Sequence, residues 1–178
     1  MTSPRDERRL IVFEVGGSAY AIPIADVIEV TEHAPWAGVP GLPRHLAGVI
    51  NHHGDALPVL SREALLEPAS APLPEPENVL VLAAPGGETG RLGLPVDRVL
   101  GLADAPLGAP QGSGVVVERL PLRGRIVSVL DGRRMLSRAA EWIEGAMEAG
   151  RLAPGPPAHE AGRAAPGPPA HEAGLGAR

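Results

Sequence analysis

Leu10-Ile11-Val12-Phe13-Glu14-Val15-Gly16-Gly17-Ser18-Ala19-Tyr20-Ala21-Ile22-Pro23-Ile24 decides how this chain folds. Two short apolar runs flank a glycine pair, and glycines supply the positive φ angles that tight hairpins need. In the second run Tyr20, Ile22 and Ile24 alternate with Ala19, Ala21 and Pro23, so the larger side chains share one face with the period of a β-strand. Working outward, strand-sized apolar runs punctuated by Gly, Pro, Asp and Asn recur at 10–15, 18–24, 27–31, 47–51, 56–60, 78–83, 91–96, 114–120 and 125–130. No stretch between them is long enough for crossover helices, which favours small barrels or a sandwich over a doubly wound sheet. Pro23, Pro58 and Pro95 are expected at strand ends or edges, where a missing N–H does no harm.

One segment departs from this pattern. From 133 to 150, Leu136, Ala139, Ala140, Ile143 and Met147 recur at helical spacing, with Asp131 placed to cap the start and Gly150 to end it. Shorter helical turns are expected near 24–28 and 62–67, the latter capped by Ser61 and stopped by Pro68. Beyond Gly150 the nine residues PGPPAHEAG occur at 154–162 and again at 166–174. Two copies without an apolar face cannot stack into a solenoid, so the expected organisation is a flexible N-terminus over 1–9, a folded domain over 10–149 and a disordered Pro/Gly/Ala-rich tail over 150–178. The N-terminus lacks the apolar run of a signal peptide, and no run approaches the roughly 18 apolar residues of a membrane span, so a cytoplasmic location is expected.

Composition removes several function classes. The chain has no cysteine, and all 16 of its Lys+Arg residues are arginine. Disulfides, thiolate nucleophiles, lysine phosphate loops and Schiff-base chemistry are therefore unavailable. A net charge of -5 and only four aromatic residues, Phe13, Tyr20, Trp36 and Trp142, argue against nucleic-acid binding by charge or by base stacking. No serine lies in GxSxG, and PGGETG at 85–90 lacks the lysine of a phosphate loop and reads as a turn. His52 and His53, if extended, point to opposite faces and share a metal poorly. His159-Glu160 and His171-Glu172 lack the second histidine of a zinc protease motif. Asp26, Glu29, Glu32, Asp55, Asp97, Asp104, Glu118 and Asp131 leave a small carboxylate-dependent hydrolase open, since spacing alone does not show two of them converging.

The order of the motifs carries a resemblance. Phe13-x-Val15-Gly16-Gly17-x-x-Tyr20-Ala21-Ile22-Pro23-Ile24-x-x-Val27-x-Glu29-Val30 is followed by Pro40 and Pro43 and by Gly48-Val49-Ile50-Asn51-x-x-Gly54-x-x-Leu57-Pro58-Val59. Then come Leu94-x-Val96-Asp97-x-Val99-Leu100-Gly101 and Val129-Leu130-Asp131. Over about residues 8 to 143 this series resembles the CheW family of chemotaxis coupling proteins. The resemblance implies an all-β fold of two pseudo-symmetric five-stranded SH3-like barrels around a shared core, with one C-terminal helix and a disordered tail. It also implies a non-catalytic adaptor, without cofactor or metal, that links chemoreceptor hairpin tips to the regulatory domain of the histidine kinase CheA. Such an adaptor would sit in membrane receptor arrays without inserting into the membrane or binding nucleic acid. Carried over residue by residue, the receptor contact falls on Val27, Glu29, Val30, Gly48, Asn51 and His53. Val27 and Val30 read equally well as core, and Asn51 with Gly54 as a hairpin turn; a glycine at 48 would admit an incoming helix. Where relatives usually read NLRG this chain has Asn51-His52-His53-Gly54, a histidine replacing a five-donor arginine. Ser61 stands where an aspartate is usual and Pro95 where an aliphatic residue is. These departures keep open a divergent regulator that binds the kinase without coupling it to receptors.

Overall fold

The opening hairpin forms where the sequence places it. In the computed structural model, which describes residues 7–64, 72–83, 91–108 and 113–150, strands β1 (Glu7–Val15) and β2 (Ser18–Pro23) pair antiparallel around Gly16 and Gly17, at φ 59° and 78°. Eight more strands follow: β3 (Val27–Glu32), β4 (Leu46–His52), β5 (Asp55–Leu60), β6 (Asn78–Ala83), β7 (Arg91–Val96), β8 (Arg98–Pro106), β9 (Val116–Leu122) and β10 (Arg125–Leu130). Helix α1 (Gly132–Glu148) closes the described chain. The strands form two five-stranded sheets, ordered β8-β1-β2-β10-β9 and β3-β6-β7-β5-β4. The second sheet is built from one continuous stretch, β3 to β7, inserted between the parts of the first. Each sheet has a central antiparallel hairpin and one parallel pairing, β2 with β10 and β5 with β7.

The central hairpins are buried on both faces, which explains their nearly continuous apolar sequences. On β1 and β2, Leu10, Val12, Ala19 and Ala21 pack within the curve of the first sheet, with Val117, Val127 and Val129. The alternate residues Ile11, Phe13, Val15, Tyr20 and Ile22 face the second sheet and meet Leu80, Leu82, Leu92, Leu94 and Val96 there. β6 repeats the arrangement, with Val79 and Val81 facing Ile50, Leu57 and Val59 inside its own sheet. The shared core is therefore a layer between two curved sheets, each of which also wraps a core of its own. Buried Phe13, Leu80 and Leu82 each contribute about 1.5–3 kcal/mol by leaving water.

Several expectations need correction. β1 begins at Glu7, inside the stretch expected to be flexible, because Glu7, Arg8 and Arg9 pair with Pro106, Ala105 and Asp104 of β8. β8 itself is absent from the expected strands: as an edge strand it fully buries only Ala105, so its sequence carries little periodic signal. β2 stops at Pro23, and Ile24–Asp26 forms a 3-10 turn that leaves Ile24 exposed. Pro58 and Pro95 lie in interior strands, tolerated where β5 and β7 pair only at Val59 and Gly93. On α1 the buried positions are Gly132, Met135, Ala139 and Ala146, while Ala140 and Met147 are exposed. Leu136, Ala139 and Ile143 of the expected stripe do pack on the inter-sheet core, joined there by Met135 and Trp142, so the apolar face is turned toward those two and away from Ala140 and Met147. Asp131 caps the helix as expected, its carboxylate accepting the Arg134 N–H at 3.1 Å. The helical turns expected near 24–28 and 62–67 form as 3-10 turns over Ile24–Asp26 and Arg62–Ala64; residues 65–67, the expected turn at 85–90 and the repeat tail from 151 lie outside the described residues.

Two buried aspartates hold the connections between elements. Asp97, after β7, accepts the Gly16 N–H of the β1–β2 turn at 2.7 Å and pairs with Arg62 at 2.6 Å. Asp26, after β2, accepts the Gly132 N–H at the start of α1 at 3.2 Å. Burial pushes the Asp26 carboxyl above the usual carboxylate range against the opposing pull of that N–H, and Asp131 adds to the rise.

Candidate interaction surface

The candidate residues lie on the second sheet, along β3 and around the β4–β5 turn. These are the two ends of the sheet, yet they meet. The chain leaving β3 returns along the far side of β4, where Ala37 and Val49 exchange backbone hydrogen bonds of 2.8 and 3.0 Å. Glu29 on β3 then reaches the turn itself: its Oε2 lies 3.0 Å from His52 Nε2 and 3.0 Å from His53 Nε2. The curled sheet is thus tied edge to edge through one carboxylate.

The turn explains the convergence. His53 and Gly54 adopt φ 54° and 94°, the paired positive angles of a two-residue hairpin loop, and Asn51 Oδ1 accepts the Gly54 N–H at 2.9 Å. His53 is therefore not extended, and the expectation that adjacent histidines face opposite ways fails. Their rings stand edge to face with centroids 4.3 Å apart. His52 is 6% exposed and its Nδ1 has no partner among the described residues, while the His53 side chain is 68% exposed. The hydrogen bonds from His53 and then His52 hold the Glu29 carboxyl below its usual range.

β3 carries a bulge between Val27 and Glu29. Val27 pairs with Leu82 and Val30 with Leu80, whereas Glu29 pairs with Val81, which faces the interior of its own sheet. Val27 packs partly into the inter-sheet core, so its core reading holds. Val30 is 43% and Ile28 52% exposed, an apolar pair at the sheet edge. Ile28 was missed, although its two-residue spacing from Val30 was the available signal.

Gly48 needs the plainest correction. A Cβ there would lie 2.5 Å from the Ala37 carbonyl oxygen and 3.0 Å from Trp36 Cδ1. The close approach that glycine permits is made by the chain's own segment, and Gly48 is buried beneath it. Asn51 is exposed but spends its side-chain oxygen on the turn. The structure therefore brings together Glu29 and His53 beside exposed Val30, adds His52 and Ile28, and removes Gly48 from the surface.

Comparison with known proteins bears on this geometry. A family model described as the CheW-like domain matches residues 9–140. The chemotaxis protein CheW of Bacillus subtilis is 24% identical over 136 residues, covering 73% of this chain and 87% of that protein. Protein FrzA of Myxococcus xanthus is 30% identical over 120 residues, covering 65% of this chain and 73% of that protein. Among solved structures, the scaffolding protein TtCheW from Thermoanaerobacter tengcongensis matches with a TM-score of 0.57 at 18% identity, covering 72% of this chain and 86% of that one.

Proposed function

The chain belongs to the CheW-like domain family, a family of non-catalytic scaffold proteins, and from that premise we propose that it couples chemoreceptors to a CheA-type histidine kinase. The family assignment displaces the hydrolase reading, and the two buried carboxylates, Asp26 and Asp97, are spent on backbone N–H groups. The observation that supports receptor coupling is the exposed pair Ile28 and Val30 on the edge strand β3, beside the polar group of Glu29 and His53. An apolar strip receives the face of a helix, and a polar group at its rim fixes the register. Among the described residues no helix is long and apolar enough to cross a membrane, in keeping with a partner recruited to receptors rather than inserted beside them.

The test mixes the purified chain with a receptor cytoplasmic hairpin and the kinase regulatory domain and follows complex formation by sedimentation. A ternary complex is expected, and Val30→Asp should lose the receptor while keeping the kinase and an unchanged melting temperature. If neither partner binds, or if Val30→Asp retains the receptor, the coupling role or its surface is refuted. A second reading, a regulator that binds the kinase alone, is favoured by the mutual pairing of Glu29 and His53, which leaves fewer free polar groups for a receptor. Kinase binding without receptor binding by the unaltered chain would establish it.

A further inference from the structure

We propose that Glu29, His52 and His53 form a zinc-binding site. A carboxylate oxygen and two imidazole nitrogens all lie within 4.8 Å of one another, with Oε2 3.0 Å from each Nε2. Around tetrahedral Zn2+ with bonds near 2.1 Å, neighbouring ligand atoms stand about 3.4 Å apart. The two carboxylate–imidazole separations of 3.0 Å need to open by about 0.4 Å, and the two ring nitrogens, within 4.8 Å of each other, need to settle at the same spacing. Two imidazoles and one carboxylate are a borderline-soft donor set that suits zinc and disfavours Ca2+ or Mg2+, which prefer oxygen throughout.

Each ligand is placed by a different device, so the site is preformed. His53 is turned inward by its left-handed backbone, and that turn is pinned by Asn51. His52 is fixed by burial and by its place at the end of β4. Glu29 comes from the opposite edge of the same sheet. Coordination requires the His52 proton to sit on Nδ1. That atom lacks a partner among the described residues, so the bond to the ion must offset both an unpaired buried N–H there and the loss of the Nε2–H hydrogen bond to Glu29. With His53 and Glu29 partly open to solvent, a fourth ligand position faces outward for water or for a donor from a bound protein. Because β3 and β4 are the two edges of one sheet, the ion would clamp that sheet closed.

The experiment titrates the full chain with Zn2+ alone by calorimetry at neutral pH, then with Co2+ alone to read the visible absorption of a four-coordinate ion. One equivalent of Zn2+ is expected to bind and to raise the melting temperature. His53→Asn keeps the hairpin, since Asn-Gly favours the same positive φ angles. It should weaken binding by more than the roughly ten- to hundredfold that follows loss of a supporting partner of a ligand. Glu29→Gln should do likewise, and neither variant should gain melting temperature from Zn2+. The double variant His159→Ala, His171→Ala should bind as the unaltered chain does. No binding at millimolar Zn2+, wild-type affinity in His53→Asn, or loss of binding in the His159, His171 variant would each overturn the proposal.

Discussion

Replacing Gly48 separates two explanations of one residue: a gap kept for a partner, or contact within the chain. In Gly48→Val the new Cβ would begin 2.5 Å from the Ala37 carbonyl oxygen. Carbon and oxygen atoms in close backbone contact approach to about 3.3 Å, so Ala37 must retreat by about 0.8 Å. Ala37 is held to Val49 by hydrogen bonds of 2.8 and 3.0 Å, and a retreat of that size away from β4 takes both past hydrogen-bonding distance. Two hydrogen bonds are worth about 0.5–1.5 kcal/mol each. Displacement of Trp36, whose Cδ1 lies 3.0 Å from the same point, adds lost packing. The expected destabilisation is about 2–3 kcal/mol, or a melting temperature lower by roughly 4–12 °C for a domain of this size. Urea and thermal denaturation followed by circular dichroism measure it, and Trp36 adds a fluorescence change in the folded state. An unaltered midpoint together with lost partner binding would refute the intramolecular account and return Gly48 to the partner surface.

Other substitutions follow from the buried polar contacts. Asp97→Ala strands the Gly16 N–H and leaves Arg62 unpaired at a nearly buried site, so it should cost about 3–5 kcal/mol in denaturant titration; Asp97→Asn, which keeps an acceptor for Gly16, should cost less. The Asp26 carboxyl is raised above its unfolded value by burial, so the charged form costs stability at neutral pH and that cost fades as pH falls through the folded pKa. Asp26→Asn should therefore raise the melting temperature at pH 7, and the gain should vanish in acid; an equal gain at every pH would mean charge is not its source. Asn51→Ala removes the acceptor for the Gly54 N–H and should cost about 1 kcal/mol by chemical denaturation.

What could be read from sequence followed period and burial. The double-sided hairpins were legible because Tyr20 and Ile22 alternate with Ala19 and Ala21, and the structure sends the two sets to different cores. β8 was illegible because an edge strand that fully buries only Ala105 has no pattern to show. The surface was harder to read than the fold. Val30 and Glu29 came from the family motif, but the bulge at Ile28, the cover of Trp36 and Ala37 over Gly48, and the inward turn of His53 all depend on single backbone angles or long-range contacts. No periodicity in 51–54 distinguishes a histidine at φ 54° from an extended one.

The two sheets solve the same closure problem with different chemistry. In chain order β1 to β5 correspond to β6 to β10, and the last three strands of each set join the first two of the other: β3 lies beside β6, and β8 beside β1. The turn after β9 repeats the positive angles of the turn after β4, with Arg123 and Gly124 at φ 50° and 75°. Arg123 also reaches back to the edge strand of its sheet, donating to the Leu102 carbonyl of β8 at 2.8 Å. A tie from this turn to the opposite edge is thus a structural demand of each curled sheet, whatever else the second sheet binds. An arginine side chain only donates, so the tie through Arg123 offers a metal no lone pair, whereas a histidine ring nitrogen can. The tie built from His52, His53 and Glu29, whose atoms can offer a metal lone pairs, thus lies on the sheet whose edge exposes Ile28 and Val30.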